Sequence, residues 1–161
     1  MNFTTDILPL KNRLYRLALR ITLSHEEAED IVQDTMLKVW SRRDAWNALD
    51  SIEAYAMTIC RNLSLDHTKS RAAQNVSLDA IPLDRPDNAA DPFQQLARKN
   101  SVERVRDVMN SLPEKQRTCM QLRDFEGKAY KEIAAVLGIT EEQVKINIFR
   151  ARKTIKEKIT L

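Results

Sequence analysis

The sequence predicts an all-α protein made of two small helical domains joined by a flexible linker. Only two of its 161 residues are glycine, which leaves little material for the tight turns of a β-rich fold. Apolar residues recur at spacings of three and four through most of the chain. This periodicity stops between residues 72 and 92, where three of the five prolines occur. We therefore expect domains over residues 1–72 and 93–161, with the linker over residues 73–92.

Three helices are expected in the first domain. The first spans about residues 6–22. Ser24 and Glu27 form a capping box that opens the second helix. A further start signal at Ser51 opens a long third helix that should reach about Arg71. The core face of the second helix comprises Ala28, Ile31, Val32, Thr35, Met36 and Val39. The inward positions of the third helix are Ile52, Tyr55, Ala56, Ile59, Leu63 and His67.

The second domain should open with a helix from about residue 93 and end in a helix-turn-helix. Its next helix begins at Pro113 and ends before Gly127. A short helix ends at Gly138, and Thr140 caps the last helix. Two helices joined by a short turn that contains glycine are typical of a DNA-binding unit. The inner stripe of the last helix comprises Val144, Ile148, Ala151 and Ile155.

Positive charge is concentrated at the C-terminal end. From residue 145 to residue 161 there are six basic residues and one acid. A cationic helix of this kind is either a solvated surface or a contact for an anionic polymer. Ile146 and Phe149 lie beside the cations but off the inner stripe, as groove contacts to thymine methyl groups would require. The alternative is that they pack against a neighbouring helix.

The second helix carries a different pattern on its outer face. Asp30, Gln33 and Asp34 surround Leu37 at helical spacing. Acids and an amide around an exposed leucine resemble a protein-docking surface. A solvated face with one isolated leucine is the commoner alternative.

Several segments together resemble bacterial RNA polymerase sigma factors. Residues 30–40 (DIVQDTMLKVW) look like conserved region 2 of that family. Residues 112–117 (LPEKQR) and 122–127 (LRDFEG) look like its region 4. Residues 130–134 (YKEIA) and 144–152 (VKINIFRAR) continue region 4 in the same order. The short chain, with these two regions and a linker, resembles the extracytoplasmic-function (ECF) group.

For the N-terminal domain, the resemblance implies polymerase docking and recognition of the minus-ten promoter element. The surface for the β′ clamp helices would comprise Asp30, Gln33, Asp34 and Leu37. Trp46 and Asn62 occupy the positions that hold a flipped base in the family, and stacking on an aromatic ring contributes about 1–3 kcal/mol. Arg61, Lys69 and Arg71 would hold phosphates. The alternative for Trp46 is an anchor in the protein core.

For the C-terminal domain, the resemblance implies recognition of the minus-thirty-five element and contact with the polymerase β flap. The readers map to Lys145, Ile146, Phe149 and Arg150, and the phosphate contacts to Arg152 and Lys153. Ile146-Asn147 stands where the family often has a small polar residue and arginine. This departure predicts recognition that depends more on methyl contacts and DNA shape.

The remaining expectations concern partners, chemistry and location. The family implies core RNA polymerase, promoter DNA and an anti-sigma factor as partners, in the cytoplasm and without membrane insertion. No metal or other cofactor is expected, because His25 and His67 have no second histidine or cysteine at ligand spacing. No catalytic motif supports an enzyme. Cys60 and Cys119 should be buried, although a redox role for Cys119 stays open.

A second functional class also fits the helix-turn-helix. In this alternative, the chain is an independent, dimeric DNA-binding regulator, and the surface from Asp30 to Leu37 is the seam between two copies. The sigma-factor interpretation predicts weak DNA binding by the free chain and promoter-specific transcription when core polymerase is added. The second predicts a stable dimer that binds duplex DNA tightly by itself.

Overall fold

The computed structural model describes residues 3–49, 51–77 and 101–159, and within these residues the fold is helical with no β-strand. This confirms the predicted all-α class. These described residues contain seven α-helices in two units, α1–α3 and α4–α7. Their bounds are α1 Lys11–Thr22, α2 His25–Ser41, α3 Ile52–Ser77, α4 Ser101–Ser111, α5 Glu114–Met120, α6 Tyr130–Leu137 and α7 Glu141–Ile159.

The regular part of the first helix begins later than the sequence predicts. Phe3–Ile7 forms a π-helical turn and Leu8–Leu10 a 3-10 turn, and α1 begins only at Lys11. Pro9 has no amide hydrogen to donate, so it suits a helix start and interrupts an α-helical interior. The buried face of α1 still follows the expected apolar stripe, with Leu14, Leu17 and Ile21 almost fully buried.

The helix starts agree with the capping signals. The Ser24 hydroxyl accepts a hydrogen bond from the Glu27 amide, 3.3 Å away, at the start of α2. Ser51 accepts one from the Ala54 amide at 3.1 Å, next to the start of α3. All six residues predicted for the core face of α2 are buried. These side-chain acceptors satisfy amides that the first turn of a helix leaves without a partner.

The third helix is longer than expected. It continues to Ser77, beyond the end near Arg71 that the sequence predicts. The added segment begins with Ala72, Ala73 and Gln74, which are residue types that favour a helix. Because these residues form only a weak apolar pattern, helical periodicity does not indicate that the helix continues through them. The predicted linker beyond Ser77 and the predicted helix start near residue 93 lie outside the described residues.

The second unit contains both predicted glycine turns. Gly127 and Gly138 each have φ of +68°, a left-handed conformation that favours glycine over residues with a Cβ. The helix after Pro113 widens into a π-helical turn over Gln121–Phe125 rather than continuing as regular α-helix. Thr140 forms a complete capping box, because its hydroxyl accepts from the Gln143 amide and Gln143 accepts from the Thr140 amide. The helix-turn-helix is thereby fixed at both sides of its turn.

The apolar core runs through both units. The largest buried cluster extends from α1, α2 and α3 to Cys119, Leu122 and Ile133 of the second unit. A smaller cluster within the second unit contains Met109 and Ala151. The two units therefore pack directly against one another.

The buried face of α3 differs from the predicted stripe. Met57, Cys60 and Ser64 are fully buried, whereas His67 is only half-buried. Of the predicted positions, Ala56 is fully buried, and Ile52, Tyr55, Ile59 and Leu63 are partly buried against the same core. The shift arises because α3 packs against α1 and α2 on one side and against α6 on the other. A sequence stripe assumes one buried side and therefore missed Met57.

Candidate functional site

An acidic strip, defined as Asp30, Gln33, Asp34 and Leu37, lies on the outer face of α2. Its polar members are exposed. Leu37 keeps 59% of its surface accessible, although it is a large apolar side chain. Beside it, a surface cavity of about 600 Å³ opens against the N-terminal segment and is lined in part by Leu8. Carboxylates around apolar surface suit a partner that presents basic and apolar side chains.

Trp46 lies in the segment after α2, where its indole is buried. Only 4% of the residue is accessible, and its Nε1–H donates a hydrogen bond to the Val39 carbonyl at 3.1 Å. The ring centroid lies 6.0 Å from that of Trp40 in an edge-to-face arrangement. In this conformation Trp46 anchors its loop to the core, and stacking on a nucleic-acid base would require the ring to become exposed.

Arg61 and Asn62 occupy neighbouring positions of α3 but have different surroundings. Asn62 is exposed to solvent. Arg61 is only 7% accessible, and its guanidinium forms two hydrogen bonds with the Glu114 carboxylate, at 2.8 and 3.1 Å. Glu114 belongs to α5, in the second unit. Glu114 of the second unit therefore binds the guanidinium that the family resemblance assigns to phosphate contacts.

The remaining cations of the first unit lie towards the C-terminal part of α3. Lys69 is exposed. Arg71 is half-buried, pairs with Glu27 at 2.9 Å and donates to the Thr22 carbonyl at 2.8 Å. Of the five predicted minus-ten residues, Asn62 and Lys69 are thus exposed, Arg61 and Arg71 are held in ion pairs, and Trp46 is buried.

The outward face of α7 presents cations and apolar groups together. Ile146 is 47% and Phe149 67% accessible, so neither belongs to the buried core of the described residues. Arg150 and Lys153 are exposed on the same helix. The inner stripe is as predicted, with Val144, Ile148 and Ala151 buried and Ile155 packed at the edge of the smaller cluster. This surface fits a partner that offers both negative charge and apolar groups, as a DNA groove does.

Two cations of α7 have contacts within the second unit. The Lys145 ammonium lies 5.4 Å from the centroid of the Tyr130 ring. Arg152 forms a bidentate ion pair with Asp124, and these hydrogen bonds raise the pKa of the guanidinium. The ion pair holds Arg152 at one place on the surface, while the side chain stays half-exposed.

Sequence reasoning missed the charged residues that connect the two units. Arg16 pairs with Glu126 at 2.8 Å, and Arg117 of α5 bonds to backbone carbonyls of α1. The partners are about a hundred positions apart, so helical periodicity within one element could not identify them. The sequence indicates these connecting residues only weakly, through arginines that stand next to an apolar stripe.

The described part of the chain contains neither a metal-binding cluster nor a helix that could span a membrane. No group of three or more histidine, cysteine or acidic side chains there has the geometry to hold a metal ion. No helix within residues 3–49, 51–77 and 101–159 is long and apolar enough to cross a bilayer.

Burial raises the pKa of both the Cys60 and the Cys119 thiols to about 12, which favours the unreactive protonated form.

Comparison with known families identifies both units. The family described as Sigma-70 region 2 matches residues 7–74, and the family described as Sigma-70, region 4 matches residues 102–155. Together these matches cover more than two thirds of the chain. The first lies on the unit with the acidic strip, and the second on the unit with the helix-turn-helix.

Similar proteins from three bacteria are all named as RNA polymerase sigma factors. The ECF RNA polymerase sigma factor SigE of Mycolicibacterium smegmatis is 29% identical over 91% of this chain. The probable RNA polymerase sigma factor RfaY of Xanthomonas campestris is 26% identical over 92% of it, and the RNA polymerase sigma-H factor of Pseudomonas aeruginosa 26% over 93%. The chain spans 57% of the SigE length, 38% of RfaY and 83% of sigma-H.

Two solved structures with a similar fold are complexes. The sigma factor RpoE, crystallised with the anti-sigma factor NepR from Bartonella quintana, is 25% identical, with a TM-score of 0.77 over 99% of this chain and 97% of the other. CnrH, in complex with the cytosolic domain of CnrY, has a TM-score of 0.66 at 22% identity, covering 98% of this chain and 87% of CnrH. The second similarity supports the fold alone.

Proposed function

The chain belongs to the sigma-70 family, in its ECF group, and from this premise we propose that it binds core RNA polymerase and directs it to a class of promoters. The main support for the proposal is that each of the two family regions presents its own exposed surface. An exposed acidic strip lies on region 2, and an exposed cationic helix lies on region 4. In this role the chain acts as an initiation factor rather than a catalyst, in the cytoplasm, where transcription occurs.

The acidic strip is the proposed docking surface for the β′ clamp helices. Asp34 and Asp30 supply negative charge, and Leu37 supplies an apolar contact that is largely accessible before binding. Such a surface gives both electrostatic steering and an apolar anchor. The β flap would contact the outside of the second unit.

The proposed minus-ten surface follows α3 and the loop before it. Asn62 and Lys69 are accessible in the free chain, whereas Arg61 and Arg71 are held in ion pairs. For Trp46 we propose that base stacking follows a movement of the loop that frees the indole from the Val39 carbonyl. Residues 1–72 would form the functional region 2 domain, and residues 93–161 the region 4 domain.

The proposed minus-thirty-five surface is the outward face of α7. At 1.5 Å per residue, its 19 residues give about 28 Å, enough to lie in a major groove. Lys145, Ile146, Phe149 and Arg150 would read base edges, and Arg152 and Lys153 would contact phosphates. An exposed Phe149 next to Arg150 gives this surface apolar as well as charged contacts.

Arg150→Ala should reduce promoter discrimination by about 1–3 kcal/mol if the guanidinium reads a base. The polymerase holoenzyme would be titrated onto a promoter fragment and onto the same fragment with its upstream element scrambled. A loss of affinity for the intact promoter alone supports base readout. An equal loss on both fragments would instead make Arg150 a phosphate contact.

Lys153→Ala should weaken binding to all DNA sequences and lower the salt dependence of log K by about one, because one fewer counterion is released. The measurement is the affinity of the holoenzyme for duplex DNA over a series of salt concentrations. Lys38→Ala removes a matched exposed lysine from α2 and should leave the slope unchanged. An unchanged slope for Lys153→Ala would exclude this lysine from the DNA interface.

An anti-sigma factor is the third proposed partner. The support is the similarity to RpoE, which was solved in complex with the anti-sigma factor NepR. Such a partner would prevent transcription by covering the surfaces that polymerase requires.

The proposal is tested by mixing the chain with core polymerase and measuring co-elution and the mass of the free chain. A monomer that co-elutes with polymerase is the expected result. A stable dimer that binds duplex DNA tightly and ignores polymerase would support the independent regulator instead, with the acidic strip as its seam.

A further inference from the structure

An acidic side chain, Glu142, lies on the outward face of the cationic helix α7. Ile146 and Phe149 follow it by four and seven positions, and all three residues are exposed. Because each helical position advances by about 100°, the three side chains lie within about 60° of one another around the helix axis. Lys153 continues the same face one turn beyond Phe149. Glu142 therefore belongs to the surface that is proposed to enter the DNA groove.

The neighbouring acid, Glu141, has a different place on the helix. It is also exposed, but it is rotated by about 100° from Glu142, towards the side on which Ile148 is buried. Acidic residues in the first turn of a helix are stabilised by the positive end of the helix dipole. This stabilisation accounts for both acids equally, whereas only Glu142 shares a face with Ile146 and Phe149.

Other polar side chains near the start of α7 are engaged within the protein. Thr140 and Gln143 form the reciprocal capping box. The side-chain amide of Asn147 donates a hydrogen bond to the Gln143 carbonyl at 2.8 Å. Among the residues that the structure describes, none forms an ion pair or a hydrogen bond with the Glu142 carboxylate. This carboxylate is therefore available to an external partner.

A carboxylate in the major groove of DNA has few favourable partners. It can only accept hydrogen bonds when it is ionised, and the phosphates repel it. Guanine and thymine present acceptor atoms in this groove, whereas cytosine presents the donor N4 amino group. Adenine also presents an amino group, but its N7 acceptor lies beside that group and disfavours a carboxylate. Cytosine is therefore the base that Glu142 fits best.

We propose that Glu142 selects cytosine at one position of the minus-thirty-five element. The inference rests on the proposed function, because it names the base that one residue of the proposed DNA surface reads. Residues at the N-terminal end of a recognition helix contact base edges, and Glu142 is the second residue of α7. Opposite any base without a suitable donor, the carboxylate loses water and gains no hydrogen bond. Glu142 thus acts mainly by rejecting other sequences, while the cations of α7 supply affinity.

The test is a selection by polymerase holoenzyme from duplex promoter fragments whose minus-thirty-five element is randomised. Sequencing of the bound fraction gives the base preference at each position. The wild type should prefer cytosine at one position by about 5- to 150-fold. Glu142→Ala should reduce that preference to less than about twofold and leave the other positions unchanged. It should also tighten binding to random-sequence DNA, because a negative charge is removed from the interface.

Glu142→Gln tests the chemistry of the contact more sharply. A glutamine amide both donates and accepts, and it pairs in a bidentate way with adenine. The preference at the affected position should therefore change from cytosine to adenine. A residue that only stabilised the start of the helix would alter the unfolding temperature of the chain without changing which base is preferred.

Glu141→Ala is the matched control, because it removes the same charge one position away. It should leave the base preference unchanged at every position. The inference is overturned if the wild type shows no preference for cytosine, or if Glu142→Ala or Glu142→Gln retains that preference. If the wild-type holoenzyme enriches an upstream sequence in which cytosine does not depend on Glu142, only this role fails. If it enriches no upstream sequence at all, promoter recognition by α7 fails as well.

Discussion

Asp34→Arg should abolish association with core RNA polymerase. The substitution places a cation at the centre of the acidic strip, beside Leu37, where the partner is expected to present basic side chains. A like-charge contact at an interface costs several kcal/mol, which corresponds to at least about a hundredfold weaker binding. The measurement is the dissociation constant of the complex with core polymerase, obtained by fluorescence anisotropy of the labelled chain.

The matched control for this experiment is Asp66→Arg, which makes the same charge change on α3, away from the acidic strip. It should bind polymerase as the wild type does. Circular dichroism would establish that both variants keep their helical content, which is expected because both side chains are exposed. If Asp34→Arg bound polymerase with wild-type affinity, the acidic strip would not be the docking surface.

Trp46→Ala should lower the free energy of unfolding by about 3–5 kcal/mol, the range typical for removal of a buried aromatic side chain. The indole is almost completely buried, contacts Trp40 and donates to the Val39 carbonyl. Trp46→Phe keeps most of the apolar volume but loses that hydrogen bond, so it should cost about 1–3 kcal/mol. Denaturant unfolding followed by far-ultraviolet circular dichroism measures both values.

The same pair of variants separates the two roles considered for Trp46. If the ring also stacks on a base, Trp46→Phe should support promoter melting nearly as well as the wild type, because it keeps an aromatic face. A loss of less than 1 kcal/mol in Trp46→Ala, combined with defective melting, would show that the residue acts on DNA rather than as a core anchor.

Local signals in the sequence predicted most of the helix boundaries. Ser24 and Thr140 cap helices through the hydrogen bonds that their positions suggested, and Gly127 and Gly138 adopt the left-handed conformation expected after a helix. These features depend on neighbours within a few residues. They can therefore be read from one sequence, and so can the exposed and buried faces of α2 and α7.

The features that the sequence did not predict depend on contacts between distant residues. Met57 and Arg61 are buried because the second unit packs on α3, and the partner of Arg61 lies 53 positions away. For Trp46, the pattern left base stacking and core anchoring equally open, since both need an aromatic ring at that position. The geometry places the ring in the core of the free chain, while its role on DNA stays a prediction.

The acidic strip is proposed to bind core polymerase, while the cationic α7 is proposed to direct the complex to a promoter. Run-off transcription on genomic DNA fragments, with purified chain and core polymerase, tests it most directly. We expect discrete transcripts from a limited set of start sites, which are absent with core polymerase alone and lost with Asp34→Arg. A transcript pattern identical to that of core polymerase alone would contradict it.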